Sequence, residues 1–299
     1  MASTEPVKPV RVILWMVPRT LSTVFLKSMS NLDRVKIISE PFTCASAFGP
    51  ERKLQGAAAE VADSVTKRSS SADVEMGLDH NLYTYKWVKE SLLEGNYPGV
   101  EAVVCKDTAI SLPKEKYDMI PSGYRHAFMI RHPNKLFKSW NKMFEGVTQA
   151  GESKLPFSTL LKATGATGYG FKELFDLYEY VKESGLEKNP IIIDSDDLQI
   201  DPEGVLRKFC KTTGLQYTDK LLKFDAGDGV VKQWAASKIQ LQANKAVYGV
   251  YQAAFDSTCF KKPDNMEPPP RSEFSEDLLE CIDTSMPYYE KLYAERLVV

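Results

Sequence analysis

Arg11-Val12-Ile13-Leu14-Trp15-Met16-Val17-Pro18-Arg19-Thr20-Leu21-Ser22-Thr23-Val24-Phe25 is the stretch that decides the fold. Its apolar, β-rich first half breaks at Pro18. A basic, hydroxyl-rich turn follows, and Val24-Phe25-Leu26-Lys27-Ser28-Met29 resumes at helical spacing. Strand, loop and helix in that order aim a helix N-terminus, with its unpaired N–H groups, at an anion. The ATP-binding version of this device reads G-x-x-x-x-G-K-[ST]. Here no glycine and no lysine precede the hydroxyl pair, and Arg19 is the only cation in the turn.

Outward from this loop, short β-rich runs alternate with helical patterns. Strands are expected over Val10–Met16, Arg34–Ile38, Ala102–Cys105, His126–Ile130 and Pro190–Ile193. Helices are expected over Thr23–Met29, Ala57–Lys67, Tyr83–Leu93, Lys135–Phe144, Gly170–Glu183, Pro202–Thr213 and Glu276–Arg296. That alternation predicts an α/β chain: a P-loop-like three-layer fold with a central parallel sheet flanked by helices. Pro202 suits a helix start, and Gly214 suits the position just past its end. The Gly-, Ser- and Thr-rich stretch Gly146 to Gly170 reads as a flap, and Lys261 to Ser272, with Pro263 and Pro268-Pro269-Pro270, reads as an extended connection. No repeat or domain-sized linker interrupts the pattern, so residues 1–299 are expected to form one domain.

Bulk properties narrow the classes of partner. With a net charge of −2, nothing draws the whole chain to nucleic acid or anionic lipid. No apolar run approaches the ~20 residues of a membrane span, and Met1 to Pro9 is polar, without the core of a secretory leader. A cytoplasmic protein is the expectation, with a small-molecule partner and no nucleic acid or membrane partner; a homodimer stays open. Five cysteines without C-x-x-C spacing and three scattered histidines, His80, His126 and His132, argue for neither a disulfide framework nor a metal site.

In open α/β sheets, ligands sit outside the carboxyl ends of the strands. Those ends read Pro18-Arg19-Thr20-Leu21-Ser22-Thr23, Ser39-Glu40-Pro41-Phe42, Lys106-Asp107-Thr108, Arg131-His132-Pro133 followed by Lys135, Lys138 and Ser139, and Asp194-Ser195-Asp196-Asp197. One rim thus gathers two arginines, lysine, hydroxyls and a glutamate. Such a rim suits an anionic ligand with more than one phosphate-like group.

On these residues the chain resembles the sulfotransferases that use 3′-phosphoadenosine 5′-phosphosulfate (PAPS). Pro18-Arg19-Thr20-x-Ser22-Thr23 is similar to their 5′-phosphosulfate loop, P-[RK]-[ST]-G-[ST]-[ST]. Ile130-Arg131-His132-Pro133 with Ser139 resembles their 3′-phosphate motif. Ser39-Glu40-Pro41-Phe42 resembles the acidic turn of the carboxylate-dependent members, and Asp196-Asp197-Leu198 with Asp201-Pro202-Glu203 resembles a late E-D-L…D-P segment. The resemblance runs from about Val10 to Leu215, in the family's order. It implies PAPS as donor co-substrate, with no metal. Arg19, Thr20, Leu21, Ser22 and Thr23 would hold the phosphosulfate, and Arg131 and Ser139 the 3′-phosphate. Lys261 and Lys262 would reach in from the region that forms a lid in relatives.

Two positions depart from the family pattern. Leu21 stands where the loop glycine is usual, so its side chain is expected to keep that position out of positive φ. Lys106-Asp107-Thr108 stands where the vertebrate-type cytosolic enzymes carry lysine, threonine and a catalytic histidine. The general base is therefore assigned to Glu40, with Asp107 second, and Lys106 either neutralises charge at the bridging oxygen or pairs with Asp107. The expected reaction is in-line sulfuryl transfer to a hydroxyl of a small molecule. The alternatives are a nucleotide kinase or NTPase on the same topology, which would need a Walker lysine this loop lacks, and a degenerate protein that binds nucleotide without turnover.

Overall fold

The computed structural model describes residues 8–52, 56, 59–60, 62–63, 77–148, 156–239, 241 and 251–299. Its frame is a six-stranded sheet built from β1 (Val10–Met16), β2 (Val35–Ser39), β3 (Ala102–Thr108), β4 (Arg125–Ile130), β5 (Ile191–Asp194) and β6 (Trp234–Ala235). The strand order is β5-β4-β1-β3-β2-β6, and every pairing is parallel. The α/β expectation from the sequence therefore stands.

Alternation along β1 explains the three layers. Ile13, Trp15 and Val17 join one buried cluster, while Val12, Leu14 and Met16 join the other. A strand apolar at every position must be covered on both faces. One face is covered by α6 (Phe171–Glu183) and α10 (Glu276–Ala294), which bury Phe171, Leu174 and Ile282. The other carries α1 (Ser22–Met29) and α8 (Pro202–Thr213), where Phe25 meets Phe209 edge to face at 5.1 Å. Asp201 accepts from the Gly204 amide at 2.9 Å at the start of α8, and Gly214 closes it at φ 85°. Pro and Gly thus sit where the sequence places them.

Several boundaries differ from expectation. β3 continues through Thr108, so Lys106 and Asp107 lie within the strand and point to opposite faces. Pro41 opens a helix, α2 (Pro41–Ala47), where a turn is expected. The run after β5 is helix α7 (Ser195–Ile200), and α5 (Phe157–Ala163) occupies part of the expected flap. The helix expected over Tyr83–Leu93 begins as α3 (Tyr85–Trp87) and widens into a π turn over Val88–Leu93. α4 runs Pro133–Thr148, and α9 (Gln252–Asp256) and β6 have no counterpart in the sequence reading. Much of the helix expected over Ala57–Lys67 lies outside the described residues. No helix among the described residues is long and apolar enough to cross a membrane.

A buried histidine gives the fold a pH signature. His126 on β4 accepts a 3.0 Å hydrogen bond at Nδ1 from Trp15 Nε1, and burial pushes its pKa down to about 4. The unfolded chain, with a histidine near ~6.5, binds the proton more readily between those values. Stability from this site is complete above pH ~6.5 and is lost as pH falls toward 4, at up to ~1.4 kcal/mol per pH unit. Urea denaturation of His126→Gln at pH 7 and 5 should show a smaller pH difference than wild type; equal differences would place the acid sensitivity elsewhere.

Candidate functional site

Parallel pairing brings the carboxyl ends of β1 to β5 to one edge of the sheet. There a cavity of about 690 Å³ opens, within the ~300–1,000 Å³ usual for small-molecule sites. Arg19, Leu21, Ser22 and Thr23 line it from the β1 loop, Glu40 from β2 and Lys106 from β3. Arg131 and Ser139 reach it from β4 and α4, and Lys261 from the C-terminal third. Asp107, Thr20 and Lys262 are not among its lining residues. Lys262 is exposed.

The β1 loop is set by backbone conformation. Arg19 has φ 75° and Leu21 φ 62°, both in the left-handed region that a side chain disfavours. The expectation that Leu21 would avoid positive φ is thus corrected: the leucine adopts it, as the residue before α1. The loop is over-determined by its surroundings. Thr20 is buried, its hydroxyl donating to the Val17 carbonyl at 2.9 Å, and Ser195 Oγ spans the Thr20 and Ile130 carbonyls at 2.8 and 2.7 Å. No side chain caps the N-terminus of α1, and its first turn holds no acidic residue. Its leading amides therefore face the cavity without an internal acceptor side chain.

Two guanidinium groups sit beside these amides. Arg19 Nε donates to Ser139 Oγ at 3.0 Å, and an Arg131 terminal nitrogen donates to the Arg19 carbonyl at 2.9 Å. Burial lowers the pKa of both arginines, Arg131 also through its neighbour Arg19, because each charge has lost water. Arg131 Nε is buried and has no partner. A bound anion would supply that partner and offset the two partly desolvated charges.

Opposite them lies a buried ion pair. Lys106 Nζ donates to Glu40 Oε1 and, at 3.2 Å, to Thr23 Oγ1. Lys106 is 1% exposed and Glu40 6%. Glu40, at the end of β2, has φ 52°, in the left-handed region like Arg19 and Leu21. Tyr251 Oη donates to Glu40 Oε1 at 3.3 Å.

Asp107 points to the other side of β3 and is fully buried. Its carboxylate accepts from the amides of Phe42 (2.6 Å), Thr43 (3.1 Å) and Thr108 (2.8 Å), and from Thr43 Oγ1 (2.6 Å). It thus binds the first turn of α2, the helix that Glu40 precedes. Burial pushes its pKa up to about 7, against the pull of these hydrogen bonds.

The remaining candidates lie off the cavity. His126 is packed against Trp15, and His132 Nδ1 accepts from the Asn134 amide at 3.2 Å. Asp196 pairs with Lys135 and Asp197 with Arg296, at 2.6 and 2.8 Å; the helix-capping carboxylates are Asp194 and Asp201. The five cysteines are free.

Sequence reasoning missed Tyr251, Trp140 and Met143 on the cavity wall. Met143 could have been found from Ser139, because i and i+4 share one face of a helix; Trp140, at i+1, could not. Tyr251 left no local signal.

No family model matches the chain. It is 25% identical over 231 residues to branched-chain-amino-acid aminotransferase-like protein 2 of Arabidopsis thaliana, covering 74% of this chain and 33% of that protein. It is 24% identical over 284 residues to protein 1 of the same name and plant, covering 93% and 40%. The chain thus spans about two-fifths or less of the length of the curated relatives it matches. Among solved structures, a sulfotransferase from Alicyclobacillus acidocaldarius superposes over 97% of each chain at 14% identity and a TM-score of 0.49.

Proposed function

We propose that this chain is a PAPS-dependent sulfotransferase acting on a hydroxyl of a small molecule. The observation that carries this reading is the anion pocket itself: an uncapped helix N-terminus, two partly buried arginines and the buried, unpartnered Arg131 Nε around one cavity. The donor fits this chemistry. Its phosphosulfate would take the leading amides of α1, with Ser22, Thr23 and Arg19. Its 3′-phosphate would take Arg131 and Ser139, releasing Ser139 from Arg19. Lys261 would approach the donor from the cavity edge, and Lys262 would act from solvent only.

In the proposed reaction Glu40 takes the proton of the acceptor hydroxyl as that oxygen attacks sulfur. The S–O bond to the acceptor forms while the bridging S–O bond breaks, leaving adenosine 3′,5′-bisphosphate. Lys106, held between Glu40 and Thr23, offsets negative charge at the leaving oxygen. Asp107 acts by fixing α2 and hence the backbone at Glu40.

Calorimetric titration with adenosine 3′,5′-bisphosphate, beside ATP with magnesium, tests the reading. Tight binding of the bisphosphate and weak binding of ATP is expected; the reverse would favour kinase or NTPase chemistry. Binding without turnover on any acceptor would favour a degenerate nucleotide-binding protein. Arg131→Ala should weaken bisphosphate binding by about 1.5–3 kcal/mol, the range of a charge-assisted hydrogen bond. Wild-type affinity in that variant would remove the 3′-phosphate from Arg131.

A further inference from the structure

Lys27 sits on α1, one turn beyond Thr23, and is 1% exposed. An ammonium this deep is costly unless its protons are used. Lys27 Nζ donates to the Phe255 carbonyl at 2.6 Å and the Ser257 carbonyl at 2.8 Å, and lies 5.4 Å above the Phe224 ring. These carbonyls bracket Asp256, within the segment Tyr251 to Lys261 that forms one wall of the cavity. The same segment begins with Tyr251, whose hydroxyl reaches Glu40. Two backbone bonds, Gly227 N to Phe255 O (2.7 Å) and Phe224 N to Thr258 O (3.0 Å), also hold it. They tie it to another loop. Lys27 ties it to the helix whose N-terminus faces the anion.

We infer that Lys27 is a positioning residue: it locks the wall segment Tyr251 to Lys261 onto α1, so that donor held at one end of the helix and order in the wall support each other. The inference rests on the sulfotransferase reading for the identity of the donor. α1 is only eight residues long, so its two ends move as one body. Linkage then requires reciprocity: what steadies the wall tightens the donor, and bound donor steadies the wall. A methionine would fill the same space and keep the apolar contacts, but donate no hydrogen bond.

The test uses the full chain, with adenosine 3′,5′-bisphosphate as probe, in wild type, Lys27→Met and Lys27→Arg. Wild type comes first: no binding there overturns the donor reading and, with it, this inference. Given wild-type binding, Lys27→Met should raise Kd by about tenfold, the value of one net charge-assisted contact. The bisphosphate should slow amide exchange in residues 252–260 of wild type and protect them less in the methionine variant. Lys27→Arg should recover most of both effects. Thermal unfolding separates this from simple loss of packing, because arginine rescue of affinity need not follow rescue of Tm. Wild-type Kd and unchanged protection in a folded Lys27→Met protein would overturn the inference and leave the donor reading standing.

Discussion

Glu40→Gln is expected to bind adenosine 3′,5′-bisphosphate like wild type and to transfer sulfate ~10²–10⁴-fold more slowly, the range for a lost general base. Glutamine keeps the length of the side chain and an oxygen for the Lys106 and Tyr251 donors. It tolerates the φ of 52° no worse than glutamate does. What it lacks is a basic oxygen for the acceptor's proton. The substitution also removes the buried counter-charge of Lys106, and breaking such a pair costs ~3–5 kcal/mol when a charge is left unpaired. Stability must therefore be measured alongside. The check is transfer of labelled sulfate from PAPS to the best acceptor in a panel of simple alcohols and phenols, with urea unfolding in parallel. A folded variant with near-normal turnover would move the base away from Glu40.

Asp107→Ala is expected to be the most damaging single change to the fold near the cavity. It strips the acceptor from three amides and the Thr43 hydroxyl, all buried or partly buried. Each orphaned donor costs ~1–3 kcal/mol, so a loss of ~3–5 kcal/mol is reasonable after relaxation and water entry. Asp107→Asn should lose less, because its amide oxygen still accepts. The pattern separates two roles. If Asp107 only positions α2, asparagine should retain substantial turnover wherever the protein is folded. If it takes the proton, asparagine should fall as far as Glu40→Gln. Urea midpoints and single-acceptor rates on the three proteins decide between them.

How much of this could be read from the chain varies by kind of signal. The β1 run and its break at Pro18 were plain, because an apolar strand must be covered on both faces and proline cannot continue it. Each strand-end residue was reachable by one rule about parallel sheets, and Arg19, Glu40, Lys106, Arg131 and Ser139 do meet at one cavity. The end of β3 was not legible. Lys106-Asp107-Thr108 is polar and reads as a loop, and its cross-strand partners on β1, with Ser39 and Glu40 at the end of β2, keep it extended. α2 was missed although Pro41 is a good first helical residue, since its seven residues are too few to show a period. Nothing in the sequence singles out Lys27 within its helical run. Its partners lie more than two hundred residues away, and both are backbone carbonyls, which no side-chain pattern records.

Leu21 bears on how such chains are recognised at all. A motif written in letters treats glycine at the loop centre as the defining mark, and would pass over a leucine there. The backbone at Leu21 nonetheless takes a left-handed turn, φ 62° and ψ 9°, just before α1. In this chain the turn is fixed by a pair of angles, held by Thr20 below and Ser195 beside the loop, without a glycine. Leu21→Gly should fold readily, and any penalty would fall on the unfolded side of the balance, where glycine has more freedom to lose. A search keyed to glycine would pass over this loop, whereas one keyed to its pair of angles would find it.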